Sequence, residues 1–334
     1  MRIVYTQAKV VVLLAAYNGG KYIREQLKSI LEQDFSGHIK VIVRDDNSRD
    51  DTVTIVNSYL DLPSNRSITL IQNPDSEHGH LANFSALCQI GLTTESEYFA
   101  FADQDDVWHK NKISRMFALM QSELKGKDNL VPIMIHSDLR VVDEALNQLS
   151  PSYIKYQGLP DPDAQLFPTI LRQNVVTGCT TFFNRVLLEK AFPVPQGLVV
   201  HDWWFALWAR FYGKLIYIDD ATIDYRQHNL NAIGAQEFMG GPDYTSYRFY
   251  KLLFEFPRLF QKSIKQAIVF KERASAFSSE SELARAGISE YADFNNLTTK
   301  KRIAMIDKLY PVSISKKEKL YLMVVFTLMP WIKP

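Results

Sequence analysis

Cysteine is scarce: Cys88 and Cys179 are the only two in 334 residues, far apart and in no metal-like spacing. That excludes a disulfide-stapled scaffold and a zinc module, and it fits a reducing compartment. The opening residues, Met1-Arg2-Ile3-Val4-Tyr5, carry no apolar run followed by a small-residue cleavage site, so no secretory leader is expected. No internal repeat or low-complexity tract is visible. A membrane-spanning run is also missing. The longest apolar stretch, Leu320 to Ile332, would reach about 20 Å as a helix, short of the roughly 30 Å hydrocarbon core. Neither sign of charge dominates, with 38 Lys+Arg against 37 Asp+Glu. At 22% charged and 46% hydrophobic, the chain is not disordered and can bury one large core plus a smaller region.

The balance of charge is local rather than global. From Thr245 onward there are 16 Lys+Arg against 8 Asp+Glu, and the remainder holds 22 against 29. A basic last quarter suits an anionic neighbour, a lipid surface or a phosphate-rich acceptor; an ordinary solvated helical face is the plainer alternative. The apolar stretch at its end then reads as an interfacial segment or as a helix docked on the core.

Val10 to Ala16 is continuously apolar, as expected of a strand buried on both faces. After the turn Tyr17-Asn18-Gly19-Gly20, Ile23, Leu27, Ile30 and Leu31 mark one face of a helix. Lys40 to Arg44, Ile68 to Ile71 and Tyr98 to Ala102 read as further strands. Between them lie helices around Val53, Val56 and Leu60 and over Ala82 to Ile90. Strands alternating with helices imply an open, largely parallel sheet, whose ligands bind beyond the carboxyl ends of the strands. The polar clusters Tyr17-Asn18, Asp45-Asp46 and Asp103 to Asp106 all stand at such ends. Further on, Ile133 to Ile135, Val175 to Phe183 and Leu215 to Ile218 read as strands and Pro151 to Pro168 as a long loop. After Thr245 the pattern turns helical: Arg248, Lys251, Glu255, Arg258 and Lys262 form a polar stripe, and Pro257 is expected to kink or break that helix.

Asp103-Gln104-Asp105-Asp106 places three carboxylates within four residues. They repel one another unless something positive offsets them, and oxygen ligands favour Mg²⁺ or Mn²⁺. Such a cation neutralises a departing diphosphate; a solvated acidic turn capping the helix from Lys112 is the structural alternative. Asp45-Asp46 suits a nucleobase or ribose, or else caps a helix together with Asn47-Ser48. In His201-Asp202-Trp203-Trp204 the Asp can serve as a general base and the two rings can pack on a sugar, or the segment caps a helix with core tryptophans. Arg226 and His228, in Tyr225-Arg226-Gln227-His228, are candidates for phosphate contact, and His228 also for the metal shell.

These segments, taken in order, resemble family 2 of the inverting glycosyltransferases, and most specifically the bacterial rhamnosyltransferase-like branch that builds O-antigens and capsules. The likeness rests on Ala16-Tyr17-Asn18-Gly19-Gly20, on Asp45-Asp46-Asn47-Ser48 with Asp51-Thr52, and on Asp103-Gln104-Asp105-Asp106-Val107-Trp108. It continues in His201-Asp202-Trp203-Trp204 and in Tyr225 to His228 with Asn231 and Gly234. The resemblance implies the GT-A fold: an α/β, Rossmann-like, mixed but mostly parallel sheet flanked by helices. That domain would occupy residues 1–240, with a donor half to about 110 and an acceptor half beyond it, followed by a helical extension over 241–334.

By the same resemblance Ala16, Tyr17, Asn18, Asp45, Asp46 and Asp103 serve the nucleotide, and Asp103, Asp105 and His228 the Mg²⁺ or Mn²⁺. Arg226 and His228 serve the diphosphate, and Asp202 is the catalytic base. Asp106, Gly178, Trp203 and Trp204 line the acceptor and sugar side. Two positions depart from the family pattern: Ala15 stands where a Pro is usual, and His201 precedes the base where an acid is common. The Gln-x-x-Arg-Trp motif of processive members is absent, which argues for transfer of one sugar per event.

The expected partners are a dTDP- or UDP-linked sugar, with dTDP-rhamnose first, and a saccharide acceptor carried on a lipid. That places the protein in the cytoplasm, with peripheral contact at the inner face of the plasma membrane. A transferase for UDP-hexose or UDP-N-acetylhexosamine is the nearest alternative. A binding module that holds the donor without releasing nucleoside diphosphate is an alternative of another class. A nucleotidyltransferase would want a Gly-rich, basic loop after the first strand, where only Lys21 stands. A phosphatase of the haloacid dehalogenase type would want its Asp motif after the first strand, not the fourth. Nucleic acid is disfavoured because the expected cleft is acidic.

Overall fold

Apolar strands and one-sided helices alternate through the first half of the chain, and in the computed structural model they assemble as that alternation demands. The structure describes residues 8–59, 62, 64–74, 77–125, 130–163, 167–229, 256–309 and 316–328. The strands are β1 (Lys9–Ala16), β2 (His38–Asp45), β3 (Arg66–Gln72), β4 (Tyr98–Ala102), β5 (Val107–Trp108), β6 (Ile133–Val142), β7 (Gln148–Ser150), β8 (Phe182–Asn184) and β9 (Lys214–Arg226). They form one sheet in the order β3-β2-β1-β4-β8-β6-β9-β5, with β7 paired to β6. The β3-β2-β1-β4 half is parallel; β8 runs antiparallel to both β4 and β6, and β5 antiparallel to β9, so the sheet is mixed.

The helices, in chain order, are α1 (Ile23–Leu31), α2 (Thr52–Asn57), α3 (His80–Leu92), α4 (Lys112–Leu124), α5 (Tyr153–Gln157), α6 (Phe167–Arg172), α7 (Arg185–Ala191) and α8 (His201–Tyr212). Ile23, Leu27 and Ile30 of α1 are buried, as are Ile113, Met116, Phe117 and Met120 of α4, at the spacing of one helix face. In α8 every residue from His201 to Ala209 is buried, the pattern of a helix surrounded by protein.

The backbone divides into two compact units. Met1–Asp163, Val176–Gln196 and Val200–Phe238 make the first; Ala164–Val175, Gly197–Val199 and Met239–Pro334 make the second. The segments Ala164–Val175, which carries α6, and Gly197–Val199 therefore leave the region that the sequence assigns to the catalytic domain.

Several expected elements differ in detail. Val175 to Phe183 is not one strand: Gly178–Thr180 is a tight turn and only Phe182–Asn184 is extended. Thr180 and Thr181 donate their hydroxyls to the carbonyls of Thr177 and Gly178, offering the backbone an alternative to the ladder. Leu215 to Ile218 extends into the long β9, which places Tyr225 and Arg226 in a strand, and α5 interrupts the long loop after Pro151. Asn231 and Gly234, and Arg248, Lys251 and Glu255, lie outside the described residues, as do Leu60 and residues 329–332.

In the second unit, α9 (Phe256–Ala274) includes Pro257, and the residues before Phe256, on which a kink or break would show, lie outside the described residues. Then come α10 (Glu280–Arg285), α11 (Ile288–Ala292), α12 (Thr299–Ala304), α13 (Ile306–Leu309) and α14 (Lys316–Leu328). Phe260 lies 5.6, 5.1 and 5.0 Å from the rings of Tyr291, Phe294 and Phe326. Arg302 donates to the carbonyls of Leu297 and Phe326 at 2.8 and 3.2 Å. So α14 docks within this unit through Leu322, Val325 and Phe326, while Leu320 and Val324 stay exposed. Among the described residues no helix is long and apolar enough to cross a membrane.

Candidate active site

Strand register brings three polar clusters to one sheet edge. Ala16 pairs with Asp45 and Leu14 with Ala102, so the residues that follow β1, β2 and β4 emerge side by side. Gln104 locks two of these loops together: the Tyr17 N–H donates to its Oε1 at 2.8 Å, and its Nε2 donates to the Tyr17 carbonyl at 3.0 Å. The next turn is tied in the same way. The N–H groups of Asn18, Gly19 and Gly20 donate to Ser48 Oγ, Thr52 Oγ1 and Asp50 Oδ2 at 2.7, 2.8 and 2.8 Å, and Asn18 Oδ1 accepts from Arg49 N–H at 2.8 Å. Tyr17 is left 54% exposed, an open ring face at the edge.

The two acids after β2 divide their work. Asp45 is fully buried and accepts from the backbone and hydroxyl of Ser48, which makes it a turn-former. Asp46 accepts from Asn73 Nδ2 at 2.7 Å, His78 Nδ1 at 3.0 Å and Gly79 N–H at 2.8 Å. Burial pushes its carboxyl up, but these donors outweigh burial and hold it below the usual carboxylate range. Ala16 contributes its carbonyl to the Asp46 N–H and is itself buried.

The acidic loop after β4 is divided by depth. Asp103 is partly exposed. Asp105 Oδ2 lies 2.8 Å from His228 Nε2, whose ring stacks on Tyr22 at 4.7 Å. Asp106 is fully buried, and neither of its oxygens has a hydrogen bond of ordinary geometry; the Cys179 thiol and the Arg226 backbone N–H approach it without completing one. Burial first, then Asp105 and Asp103, push the Asp106 carboxyl well up. Oxygens of Asp103 and Asp106 and the sulfur of Cys179 lie within 4.8 Å of one another.

This loop fits a hard divalent cation. It holds several carboxylates whose repulsion is not offset, an orphaned buried pair of oxygens, and an imidazole beside them. Cys179 is the poor member of the group, because burial and Asp106 push its thiol well up and a soft, protonated sulfur does not suit such an ion.

Asp202 stands in the first turn of α8. Its Oδ2 accepts from the Gly178 N–H at 2.8 Å and its Oδ1 from the Trp203 N–H at 2.5 Å. Burial pushes its carboxyl up to about 6, against the pull of His80 and the two N–H groups. A carboxylate poised there takes a proton near neutrality, as a general base must. His201 does not compete for that role. Its ring is buried, stacked 3.8 Å from Phe84 and edge-on to Phe101 at 4.6 Å, and burial pushes its pKa well down.

The glycine at 178 is required by this packing. A Cβ there would meet His201 Nε2 at 2.9 Å and Asp202 Oδ2 at 3.3 Å, and the wedged His201 ring cannot give way. If Asp202 is the base, Gly178→Ala is expected to lower kcat by about 10²-fold with donor KM little changed, since a small misplacement of a catalytic group has that scale of effect. Steady-state kinetics in the donor check it.

Four expected contacts take a different form. Trp203 and Trp204 are 2% and 0% exposed, and Trp204 donates its Nε1 to the Ala191 carbonyl at 2.8 Å, so they build the core and present no ring face to a sugar. Asp106 sits behind the acidic loop, not on an open acceptor side. Arg226 is buried and donates to the carbonyls of Asp105 and Glu144 at 3.0 and 2.6 Å and to the Glu25 carboxylate. Its guanidinium braces the loop rather than reaching for phosphate.

Sequence reasoning passed over Gln104, Glu144 and His80. Glu144 tops a hairpin turn and accepts from Lys21 and from the Tyr22 hydroxyl. Gln104 carried a signal, since it sits inside the acidic motif; the other two carried none. Elsewhere, a cavity of about 440 Å³ lies at the opposite sheet edge, lined by Lys9, His38, Arg66 and Ser96 among others. Arg66 spends its guanidinium there on five carbonyls that tie down neighbouring loops, so this is scaffold.

Residues 11–189 match Glycosyl transferase family 2, which is more than half of the chain. The protein belongs to that family; it is a glycosyltransferase of GT-A fold that uses a nucleotide-sugar donor. Among curated proteins it is 30% identical over 233 residues to the dTDP-rhamnosyl transferase RfbG of Shigella flexneri, an alignment covering 66% of this chain and 74% of that one. Two solved structures share its fold. S. aureus TarS 1-349, solved in complex with UDP-GlcNAc, matches with a TM-score of 0.53 at 17% identity, over 97% of this chain and 91% of that one. The mannosyltransferase PcManGT from Pyrobaculum calidifontis, in complex with GDP-Man and Mn²⁺, matches with a TM-score of 0.51 at 15% identity, over 98% and 88%.

Proposed function

We propose that this chain transfers L-rhamnose from dTDP-rhamnose, with inversion, to a saccharide acceptor in bacterial surface polysaccharide synthesis. The observation that carries the inverting chemistry is Asp202, buried, held by two backbone N–H groups and raised to about 6. The similarity to RfbG supports the choice of donor. Asp202 accepts the proton of an acceptor hydroxyl as that oxygen attacks the anomeric carbon, and the nucleoside diphosphate leaves from the opposite face in one displacement. Tyr17, Asn18 and the Asp46 cluster hold the nucleoside. Asp103 and Asp105 with His228 would hold a divalent cation, which when bound offsets the charge of the departing diphosphate. Gln104, Arg226 and Glu144 keep these loops in place. The basic second unit suits an acceptor carried on lipid at a membrane surface.

A panel of dTDP-rhamnose, UDP-glucose, UDP-galactose and UDP-GlcNAc, each with Mg²⁺ or Mn²⁺, tests the reading through nucleoside diphosphate release. Release from dTDP-rhamnose alone is expected. Preference for a UDP sugar would replace rhamnose by a hexose, and binding of donors without release on adding acceptors would make the protein a binding module.

A further inference from the structure

His80 is the first residue of α3, and its place is set by the glycine before it. Gly79 adopts φ 99°, a conformation that favours glycine, and anchors its N–H on Asp46 Oδ2. The imidazole that follows is therefore fixed between the Asp46 cluster and the acidic loop. Its Nε2 lies 3.8 Å from Asp103 Oδ1, and its ring packs 4.9 Å from Phe84 and 5.0 Å from His201. Asp202 and Asp105 also act on it electrostatically.

What separates His80 from the neighbouring histidines is that its carboxylate neighbour, Asp103, stands off at 3.8 Å. His78, His109 and His228 each lie 2.8 to 3.0 Å from a carboxylate, and His201 is sealed in the core. At 3.8 Å the Asp103 contact is an ion-pair distance and too long for a hydrogen bond. Among the described residues no other polar partner reaches the ring, yet only a third of the side chain is exposed. A half-buried imidazole with no short hydrogen bond, near both a candidate cation site and a candidate base, is placed to meet a ligand. An imidazole carries at least one ring N–H in every protonation state, so it can donate to an oxygen of a ligand.

We propose that His80 contacts the sugar nucleotide, one ring N–H donating to an oxygen of the diphosphate or of the transferred ring. The inference rests on the donor reading given above and adds a residue to it. The test is isothermal calorimetry with Mn²⁺ and either dTDP or dTDP-rhamnose, together with donor kinetics, on the wild type, His80→Ala and His80→Gln. The alanine variant is expected to lose on the order of tenfold in affinity. The glutamine variant, which keeps an N–H donor, is expected to recover part of it.

Equal losses for dTDP and dTDP-rhamnose would place the contact on the diphosphate, and a loss for dTDP-rhamnose alone would place it on the sugar. Affinities, KM and kcat all within twofold of wild type would overturn the proposal. If His80→Ala does not fold, the same twofold criterion applied to the glutamine variant overturns it. Wild-type protein that binds neither dTDP nor dTDP-rhamnose would defeat the donor reading and this contact with it, whereas wild-type binding with indifferent variants defeats the contact alone.

Discussion

Asp202→Asn is expected to lower turnover by a factor of roughly 10² to 10⁴ while leaving donor affinity nearly unchanged. The substitution keeps the shape of the side chain and one oxygen for the Gly178 N–H, giving up only the acceptor for the adjacent Trp203 N–H. What it removes is the ability to take a proton. The same carboxyl sets a pH dependence. Burial raises its pKa to about 6, so below that pH it is protonated and cannot accept from the acceptor hydroxyl. Wild-type kcat is therefore expected to rise with pH through an inflection near 6, and the residual activity of the asparagine variant to show no such limb. Turnover within a few-fold of wild type, or an unchanged profile in the variant, would remove Asp202 from the role.

Asp105→Asn should act on the other half of the reaction. Asp105 faces His228 at 2.8 Å, and its backbone carbonyl, which the substitution keeps, is held by Arg226. The variant loses one negative charge from the loop and, on the proposed reading, one oxygen ligand of the cation. Replacing even outer partners of a metal site lowers affinity about 10- to 100-fold, and a direct ligand is expected to exceed that. Mn²⁺ binding followed by electron paramagnetic resonance with dTDP present, and transfer across a Mn²⁺ titration, measure it. Wild-type transfer that persists in excess chelator would sink the cation reading.

The parallel half of the sheet was legible because its strands are continuous apolar runs ending in polar clusters, and β1, β2 and β4 lie where those runs lie. The acidic loop and Asp202 were legible because carboxylates after a buried strand, or before aromatics, stand out. Burial was harder to read. Trp203 and Trp204 look like sugar platforms in a sequence, yet α8 is apolar all round and packs them inside. Arg226 looks like a phosphate ligand, but its partners are two carbonyls and the distant Glu25 carboxylate, a set that leaves no mark in a sequence. The short β5 and β7 escaped because two or three residues hold no period. His80 escaped because only the fold brings residues 80, 103 and 202 together.

One arrangement near the base bears on how relatives can diverge. Both ties on the Asp202 carboxylate come from main-chain amides, at Gly178 and Trp203. Every residue type except proline supplies such an amide, so exchanges among the surrounding side chains do not delete either tie. New acceptor preferences can therefore accumulate around an aim that stays constant, and glycine at 178 is the one position nearby without that latitude.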